Sequence, residues 1–300
     1  MKPGSAPVFE CPQCHQSGRK LFSVGDLNRK VSDEQFNYYR CRGCGLTFLA
    51  PVPLDLGAYY PPAYHEIPQS TEDLRLNSGH EVFKIDTIKA HASGRRLLEI
   101  GPSYGRFAFL AKSAGFEVDA FEMDRNCCDF LNNTVGIRAM HTTDLLESVQ
   151  HADQYDVIAM WHSLEHLSDP WPLLDVLASR LNPGGILVIA SPNPNSLQFR
   201  VLGKFWVHLD APRHVELIPP GLLTQRLIRT GLKRVHFTTF DQGAKDCNGL
   251  GWHVSPNHRS AGRPLGPLGR FIELQLIRAG RRVEKIPGLG SAYTLVFRKT

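Results

Sequence analysis

The sequence predicts an α/β fold in which a mostly parallel sheet carries helices on both faces. From residue 95 onward, short apolar runs alternate with stretches of helical spacing, which is the pattern of a parallel sheet. The length of 300 residues accommodates one large α/β domain and a small appendage. A composition of 42% hydrophobic and 21% charged residues is ordinary for a globular protein, so a sizeable core can form.

The region after residue 95 contains six candidate strands, of which the last two form a closing pair. Each is a short run rich in branched or aromatic residues. A helix is predicted after the first strand, and a proline–glycine turn precedes the fourth. The candidate strands are residues 96–100, 117–122, 155–160, 185–190, 233–240 and 292–299.

Two pairs of cysteines stand in the first fifty residues, each with two residues between its members. Cys11 and Cys14 form the first pair, and Cys41 and Cys44 form the second after a gap of 26 residues. This spacing lets both sulfurs of a pair reach one tetrahedral ion. Four thiolates fill the tetrahedron and leave no open position for catalysis, so we expect a structural zinc.

A small ribbon of strands is predicted around these cysteines, at residues 20–24, 36–40 and 46–49. So small a segment buries little apolar surface, and metal ligation would have to stabilise it. A redox C-x-x-C pair is the alternative, but such a motif normally opens a helix, and neither pair is followed by a helical pattern. We therefore expect a zinc-ribbon-like module over residues 1–52.

The net charge of +5 is spread along the chain, and its densest positive stretch, 278–285, is interrupted by Glu284. This balance permits nucleic-acid binding without indicating it. The chain has no run of about 18 apolar residues, and its start lacks the apolar stretch of a secretory signal. We therefore expect a cytoplasmic protein, in which the seven cysteines are thiols or metal ligands rather than disulfides.

Residues 53–78 are rich in proline and tyrosine and show no sustained period, which indicates a linker or an active-site flap. Tyr59, Tyr60 and Tyr64 are placed to close over a ligand, or to pack the segment onto the domain.

A glycine-containing turn follows the first strand of the α/β region. Gly101 and Gly105 allow the backbone to bend sharply and approach a ligand, and Glu122 closes the next strand 17 residues beyond Gly105. A carboxylate there can accept both hydroxyls of a ribose. The turn is not G-x-G-x-x-G and lacks the close helix N-terminus that a pyrophosphate prefers, which argues against NAD.

Residues 98–105, Leu-Glu-Ile-Gly-Pro-Ser-Tyr-Gly, resemble the first motif of class I methyltransferases that use S-adenosylmethionine (SAM). The resemblance continues through residues 156–166 and 181–187 and covers about residues 80–300. Within this family, the chain is similar to the branch that contains quinone-biosynthesis O-methyltransferases. It implies a Rossmann-like sheet of seven strands, the last antiparallel, which suits 292–299. Ser103 departs from the family pattern, where many members have glycine.

The resemblance also implies how SAM is bound. Glu122 matches the acid that binds the ribose, and Asp144 matches the acid beside the adenine. The full set of expected cofactor-binding residues is Glu99, Gly101, Ser103, Tyr104, Gly105, Glu122, Met123, Asp144, Leu145 and His162.

Two loops at the carboxyl ends of the strands carry groups that could act on an acceptor. We expect His166 and His214 to serve as base or substrate-orienting groups, or to hydrogen-bond the loops together. Arg213 would hold an anionic substrate through a forked pair. A divalent ion that aids an O-methyl acceptor stays open. The expected substrate-binding residues are Tyr64, Glu165, Asp210 and Arg213.

Residues 162–166 also fit the H-x-x-E-H pattern of a zinc peptidase. Pro170 and Pro172 crowd the next turn, and the segment follows an apolar strand in a methyltransferase-like series, so we do not favour this interpretation.

The predicted methyltransferase domain spans 79–300, with an insertion at 243–290 before the last strand. Within it, Leu268–Ala279 has the spacing of an amphipathic helix that leads into Arg281 and Arg282. Such a helix caps a sheet or makes peripheral contact with an anionic membrane.

The function that these features favour is SAM-dependent methyl transfer to a small-molecule acceptor, such as a quinone-like phenol, a sugar or a lipid precursor. One alternative is an RNA methyltransferase that grips RNA with the zinc ribbon, although a concentrated basic stripe is missing. Another is a non-catalytic SAM-binding scaffold. The acceptor, the atom methylated and the oligomeric state are not written in the sequence.

Overall fold

The computed structural model describes residues 9–61, 64–259 and 266–300. Within these ranges the strands form two sheets, one of four strands and one of seven. The strands are β1 Gly18–Val24, β2 Phe36–Cys41, β3 Thr47–Leu49, β4 Arg96–Ile100, β5 Glu117–Glu122, β6 Arg138–His141, β7 Tyr155–Trp161, β8 Leu181–Pro192, β9 Glu216–Leu217, β10 Leu232–Thr238 and β11 Ala292–Lys299.

The larger sheet has the strand order β10-β11-β8-β7-β4-β5-β6. The pairs β4–β5, β4–β7, β5–β6 and β7–β8 are parallel, and β11 runs antiparallel to both of its neighbours. This confirms the expected seven-stranded, mostly parallel sheet with an antiparallel last strand. The strand order reverses between β4 and β7, and in sheets of this kind ligands bind beyond the carboxyl ends of the strands at such a reversal.

Helices cover both faces of this sheet. They are α1 Thr71–Asn77, α2 Val82–His91, α3 Arg106–Ser113, α4 Arg125–Phe130, α5 Leu145–Gln150, α6 Pro170–Ser179, α7 Leu197–Leu202, α8 Pro220–Arg229, α9 Gln242–Arg259 and α10 Pro267–Val283. Local chemistry explains two of the helix starts: the Asp124 side chain caps α4, and α6 begins at Pro170.

The sheet is buried on both faces, because the side chains along each strand point alternately into two hydrophobic cores. In β8, Ile186 and Val188 pack with α2 and α3, whereas Leu187 and Ile189 pack with α6 and α8. Successive side chains of a strand point to opposite faces, so a continuous apolar run serves both cores.

The smaller sheet joins the first fifty residues to a distant part of the chain. Its order is β1-β2-β3-β9, and β3 pairs antiparallel with β9, with Phe48 opposite Glu216. The three ribbon strands predicted from the sequence are present, but the fourth strand was not predicted, because two residues carry no recognisable strand pattern.

The segment 53–78 is less irregular than its composition indicates. It contains a short 3₁₀ turn at Gly57–Tyr59 and the whole of α1. The helix begins where it does because the Ser70 side chain accepts a hydrogen bond of 3.1 Å from the amide of Asp73.

The predicted amphipathic helix lies within α10. On its described positions, Phe271 is 59% exposed and Leu274 is 52% exposed, and Gly280 packs against Trp252. In the described part of the chain, none of the helices combines the length and the apolar character that crossing a bilayer requires. Contact with a membrane surface through α10 stays a prediction.

Candidate active site

The turn after β4 has a backbone that only certain residues tolerate. Gly101 and Gly105 have φ values of +70° and +87°, in the left-handed region that favours glycine. A Cβ atom at Gly105 would lie 2.3 Å from Cδ2 of Leu131, so packing also requires glycine there. Ser103 has a φ of +56°, and Tyr104 lies under the guanidinium of Arg106. The turn therefore lies at the carboxyl end of β4, beside the reversal of strand order, with a backbone shaped by its glycines.

Glu122 lies at the end of β5, beside this turn, and is 7% exposed. One carboxylate oxygen accepts a hydrogen bond of 2.8 Å from the amide of Ser103. The other accepts from the amides of Met123 and Asp124, at 2.7 and 2.9 Å. Burial raises the pKa of Glu122, and the three amides oppose that rise. The carboxylate is thus held in one orientation next to the turn.

Glu99 lies one strand away, on β4, and is 3% exposed. Its Oε2 has no hydrogen-bond partner within the described ranges. Burial raises the pKa of Glu99 to about 8, although the charge of Lys84 works against the rise. A buried acceptor oxygen without a partner can receive a donor from a bound molecule.

Asp144 and Leu145 follow β6, next to the end of β5. The amide of Thr142 donates to the backbone carbonyl of Glu122 at 3.0 Å, which ties the start of this segment to the end of β5. The Asp144 carboxylate is exposed and caps α5 by accepting from the amide of Glu147 at 2.9 Å. The sequence pattern did not reveal this capping role.

A second group of polar side chains follows β7. Glu165 is completely buried; its Oε2 accepts from the hydroxyl of Ser191 at 3.1 Å, and its Oε1 lies 3.4 Å from Nδ1 of His162. Burial alone would raise the pKa of Glu165, but His162, His214 and His166 lower it to about 2. Glu165 is therefore a carboxylate at neutral pH. Residues 164–166 form a short 3₁₀ turn, so His162 and His166 do not share an α-helical face.

His166 and His214 lie together although they come from different loops. Their ring centroids are 4.6 Å apart and their planes are nearly perpendicular. Nδ1 of His214 lies 2.8 Å from the backbone carbonyl of His208, and a carbonyl oxygen can only accept. Neutral His214 therefore carries its proton on Nδ1 and offers Nε2 as an acceptor. Burial, with the nearby His214, lowers the pKa of His166 to about 4.

Donor atoms of Glu165, His166 and His214 all lie within 4.8 Å of one another. This separation is too long for a shared proton but suits ligands of one ion, so the set fits the divalent ion left open from the sequence.

The structure gives Arg213 a different role from the one expected. Its side chain is completely buried, and all five of its N–H donors are used. They bind the carboxylates of Asp26 and Asp210 and the backbone carbonyl of Tyr59. The expected grip on an anionic substrate does not fit this arrangement, because no donor is left over. Asp210 is likewise engaged, by Arg213 and Asn28.

The tyrosine-rich segment runs between the two groups of residues. The hydroxyl of Tyr60 lies 2.9 Å from Nδ1 of His166, and Nδ1 of His65 lies 2.8 Å from the hydroxyl of Ser103. Tyr64 packs edge-on against Tyr60. Sequence reasoning missed His65 and also missed His208; the tyrosine-rich composition around His65 was the only available signal.

The four N-terminal cysteines converge as predicted. Cys11 and Cys44 have their sulfurs 3.6 Å apart, those of Cys14 and Cys41 are 3.3 Å apart, and all four lie within 4.8 Å. Four zinc–sulfur bonds of about 2.3 Å in a tetrahedron place sulfurs about 3.8 Å apart, close to this spacing. Burial would raise the pKa of Cys41, but the amides of Cys44 and Gly43 and the Cys14 thiol lower it to about 7. The donor set fits a zinc ion.

Comparison with known proteins identifies the class. Residues 80–236 match the family described as a methyltransferase domain, which is more than half of the chain. The chain belongs to this methyltransferase family. Its fold is also that of a SAM-dependent methyltransferase from Archaeoglobus fulgidus, with a TM-score of 0.51 at 19% identity, covering 76% of this chain and 98% of the other. The predicted resemblance is confirmed.

Among curated proteins, the chain is similar to ubiquinone biosynthesis O-methyltransferases. It is 27% identical to the one from Marinobacter nauticus over 154 residues, which cover 47% of this chain and 65% of that protein. It is 26% identical to the one from Psychrobacter arcticus over 191 residues, which cover 57% and 73%. The chain therefore spans slightly less than two thirds of the first relative's length.

Proposed function

We propose that this protein transfers a methyl group from SAM to a hydroxyl group of a small molecule. One observation carries the proposal: a single short segment contacts both groups of residues. Tyr60 binds His166, and His65 binds Ser103. Six consecutive residues span at most about 20 Å even when extended. We therefore propose that the glycine turn and the histidine pair belong to one ligand site.

The residues around the turn suit SAM. Three amides occupy three of the roughly four acceptor sites of the Glu122 carboxylate, which leaves one on Oε2 to accept a ribose hydroxyl. The unpartnered oxygen of Glu99 suits a cationic donor, such as the ammonium of the methionine part. The backbone of Gly101–Gly105 allows a ligand to approach closely. We place Tyr104, Met123, Asp144, Leu145 and His162 at the periphery of the same site.

When bound, SAM would supply a methyl group on a positively charged sulfur. The sulfur would leave with the electron pair of the carbon–sulfur bond when the acceptor oxygen attacks the methyl carbon in line with that bond. We propose that Nε2 of His214 accepts the proton of the acceptor hydroxyl as the new carbon–oxygen bond forms. The carboxylate of Glu165 stabilises the resulting imidazolium, since it is buried and charged. His166, whose Nδ1 lies 2.9 Å from the Tyr60 hydroxyl, orients the acceptor, and Tyr64, which packs against Tyr60, completes the acceptor position.

We further propose that the four cysteines hold a structural zinc ion and that residues 1–52 are a zinc-ribbon-like module. Residues 53–78 then form the flap, and residues 79–300 the methyltransferase domain with its insertion at 243–290. The close approach of the four sulfurs supports the zinc. Four thiolates complete its coordination, so its role is structural.

Calorimetric titration with SAM and S-adenosylhomocysteine, followed by a screen of acceptors for S-adenosylhomocysteine release, tests the proposal. Micromolar SAM binding and turnover with a phenol, a sugar or a lipid precursor would support it. Turnover on RNA, with retention on RNA that weakens steeply with salt, would favour the RNA alternative. SAM binding with no turnover on any acceptor would favour the scaffold.

A further inference from the structure

The loop that carries His214 is anchored by the N-terminal module. The hydroxyl of Tyr38, on β2, donates a hydrogen bond of 2.7 Å to the backbone carbonyl of His214. Tyr38 is completely buried, and burial raises its pKa well above the ordinary value, so the hydroxyl keeps its proton and stays a donor. The carbonyl of His214 is thereby fixed to a strand of the module.

The residue before His214 is held by the same module. Asp26 lies in the connection between β1 and β2, is 4% exposed, and binds two nitrogens of the Arg213 guanidinium at 2.7 and 3.1 Å. The amides of Arg29 and Val31 hold the Asp26 carboxylate in place, each at 3.0 Å. A buried, two-pronged ion pair of this kind tolerates little displacement of either partner.

The residue after His214 is also fixed. The amide of Leu49, at the end of β3, donates to the backbone carbonyl of Val215 at 2.9 Å, and the pairing of β3 with β9 continues from there. On the other side, the amide of Val215 donates to the backbone carbonyl of Glu165 at 2.7 Å. Residues 213–215 are therefore clamped between the module and the Glu165 turn.

We propose that the N-terminal four-cysteine module is a positioning element of the active site, in which Tyr38 and Asp26 set the place of the His214 imidazole. The inference rests on the proposed role of His214 as proton acceptor. Cys41 lies on the same strand as Tyr38, three residues further on, so the metal cluster and the clamp share β2. Metal binding fixes β2, and β2 fixes His214 relative to His166.

Two adjacent tyrosines of β2 provide a matched test. Tyr38→Phe removes the hydroxyl that binds the His214 carbonyl, whereas Tyr39→Phe removes the hydroxyl of a ring whose contacts with Phe9 and Phe48 are kept. We expect Tyr38→Phe to shift the ring resonance of His214 in ¹H–¹³C spectra and to lower kcat about tenfold, because small misplacements of a catalytic group are costly. SAM affinity should change less than twofold, and Tyr39→Phe should match the wild type.

The His214 resonance tests whether the module positions His214, whereas the rate of His214→Ala tests whether His214 is the base. The His214 resonance, assigned with His214→Ala, needs no turnover, so it reports positioning even if that alanine variant stays active and the base assignment fails. A folded Tyr38→Phe protein whose His214 resonance matches that of Tyr39→Phe would overturn the positioning proposal.

Removal of the metal gives a second measurement that does not depend on either tyrosine variant. The zinc-stripped chain should lose the native His214 resonance while retaining SAM affinity within about threefold, and added zinc should restore the resonance. Asp26→Asn should shift the same resonance without releasing zinc. An unchanged His214 resonance in metal-free protein, or in Asp26→Asn, would contradict the role of the module.

Discussion

The backbone amide of Ser103 donates a hydrogen bond of 2.8 Å to the carboxylate of Glu122, and this contact joins the glycine turn after β4 to the end of β5. The turn and the proposed ribose-binding carboxylate therefore act as one unit. A change at Glu122 alters both the acceptor for a ribose hydroxyl and the anchor of the turn.

Glu122→Ala should weaken SAM binding at least about tenfold, because one charge-assisted hydrogen bond to the ribose, worth about 1.5–3 kcal/mol, is lost together with the anchor of the turn. Calorimetry with SAM measures the change. Glu117→Ala, at the opposite and exposed end of β5, is the control and should bind SAM as the wild type does. Equal affinities of the two variants would rule out the ribose assignment.

His214→Ala should lower kcat by about 10²–10⁴, the usual contribution of a general base, without changing SAM affinity. Steady-state rates with the best acceptor from the screen provide the measurement. His253→Ala, which changes an exposed histidine on α9, should keep the wild-type rate. Wild-type turnover by His214→Ala would remove this residue from the mechanism.

Acid should destabilise the fold through His166. Burial and the nearby His214 lower its pKa to about 4, whereas the unfolded chain has the ordinary value of 6.5. Between these pH values the unfolded state binds more protons, so the free energy of unfolding falls as the pH falls, by up to about 1.4 kcal/mol per pH unit for one group. Urea titrations at pH 7 to 4 should show a shallower fall for His166→Gln than for His253→Gln. Identical slopes would contradict the assignment.

Metal analysis should find about one zinc per chain, as a filled four-thiolate site requires. Cys41→Ser should lose the metal and lower the unfolding temperature, because a segment so small depends on the ion. Cys247→Ser, which changes a cysteine outside the cluster, should retain full zinc content. Zinc-free wild-type protein with an intact fold would refute the structural role.

Arg213→Lys should lower the free energy of unfolding by about 2–4 kcal/mol, because lysine has three donors where five are used and some buried acceptors lose a charged partner. Denaturant titration measures the loss. Arg75→Lys, in the exposed pair with Glu72, should be indistinguishable from the wild type. A neutral Arg213→Lys would show that the buried network is dispensable.

The sequence predicted those features that depend on neighbouring residues. The apolar runs of β4 and β8 are enough to predict a buried parallel sheet. Glycine is the residue type that favours the left-handed backbone found at positions 101 and 105. The four cysteines carry their own metal-ligand spacing. These signals are local, so one chain suffices to find them.

The role of Arg213 escaped prediction because its partner lies far away in the chain. Asp26 is 187 residues distant, in a hairpin with no charge pattern that points to it. The same holds for β9, whose two residues become a strand only because β3 offers them an edge. Tertiary partners of this kind leave no periodicity to detect.

The pairing of β3 with β9 also dictates an order of events during synthesis. The cysteine pairs leave the ribosome early, but the module's sheet lacks its fourth strand until residue 217 has emerged. Nascent chains shorter than this expose the edge of β3 and the carboxylate of Asp26 without their native partners. An uncovered strand edge is a template for pairing between chains. Emergence of residues 213–217 from the ribosome therefore ends the interval in which this edge of β3 is open to pairing with another chain.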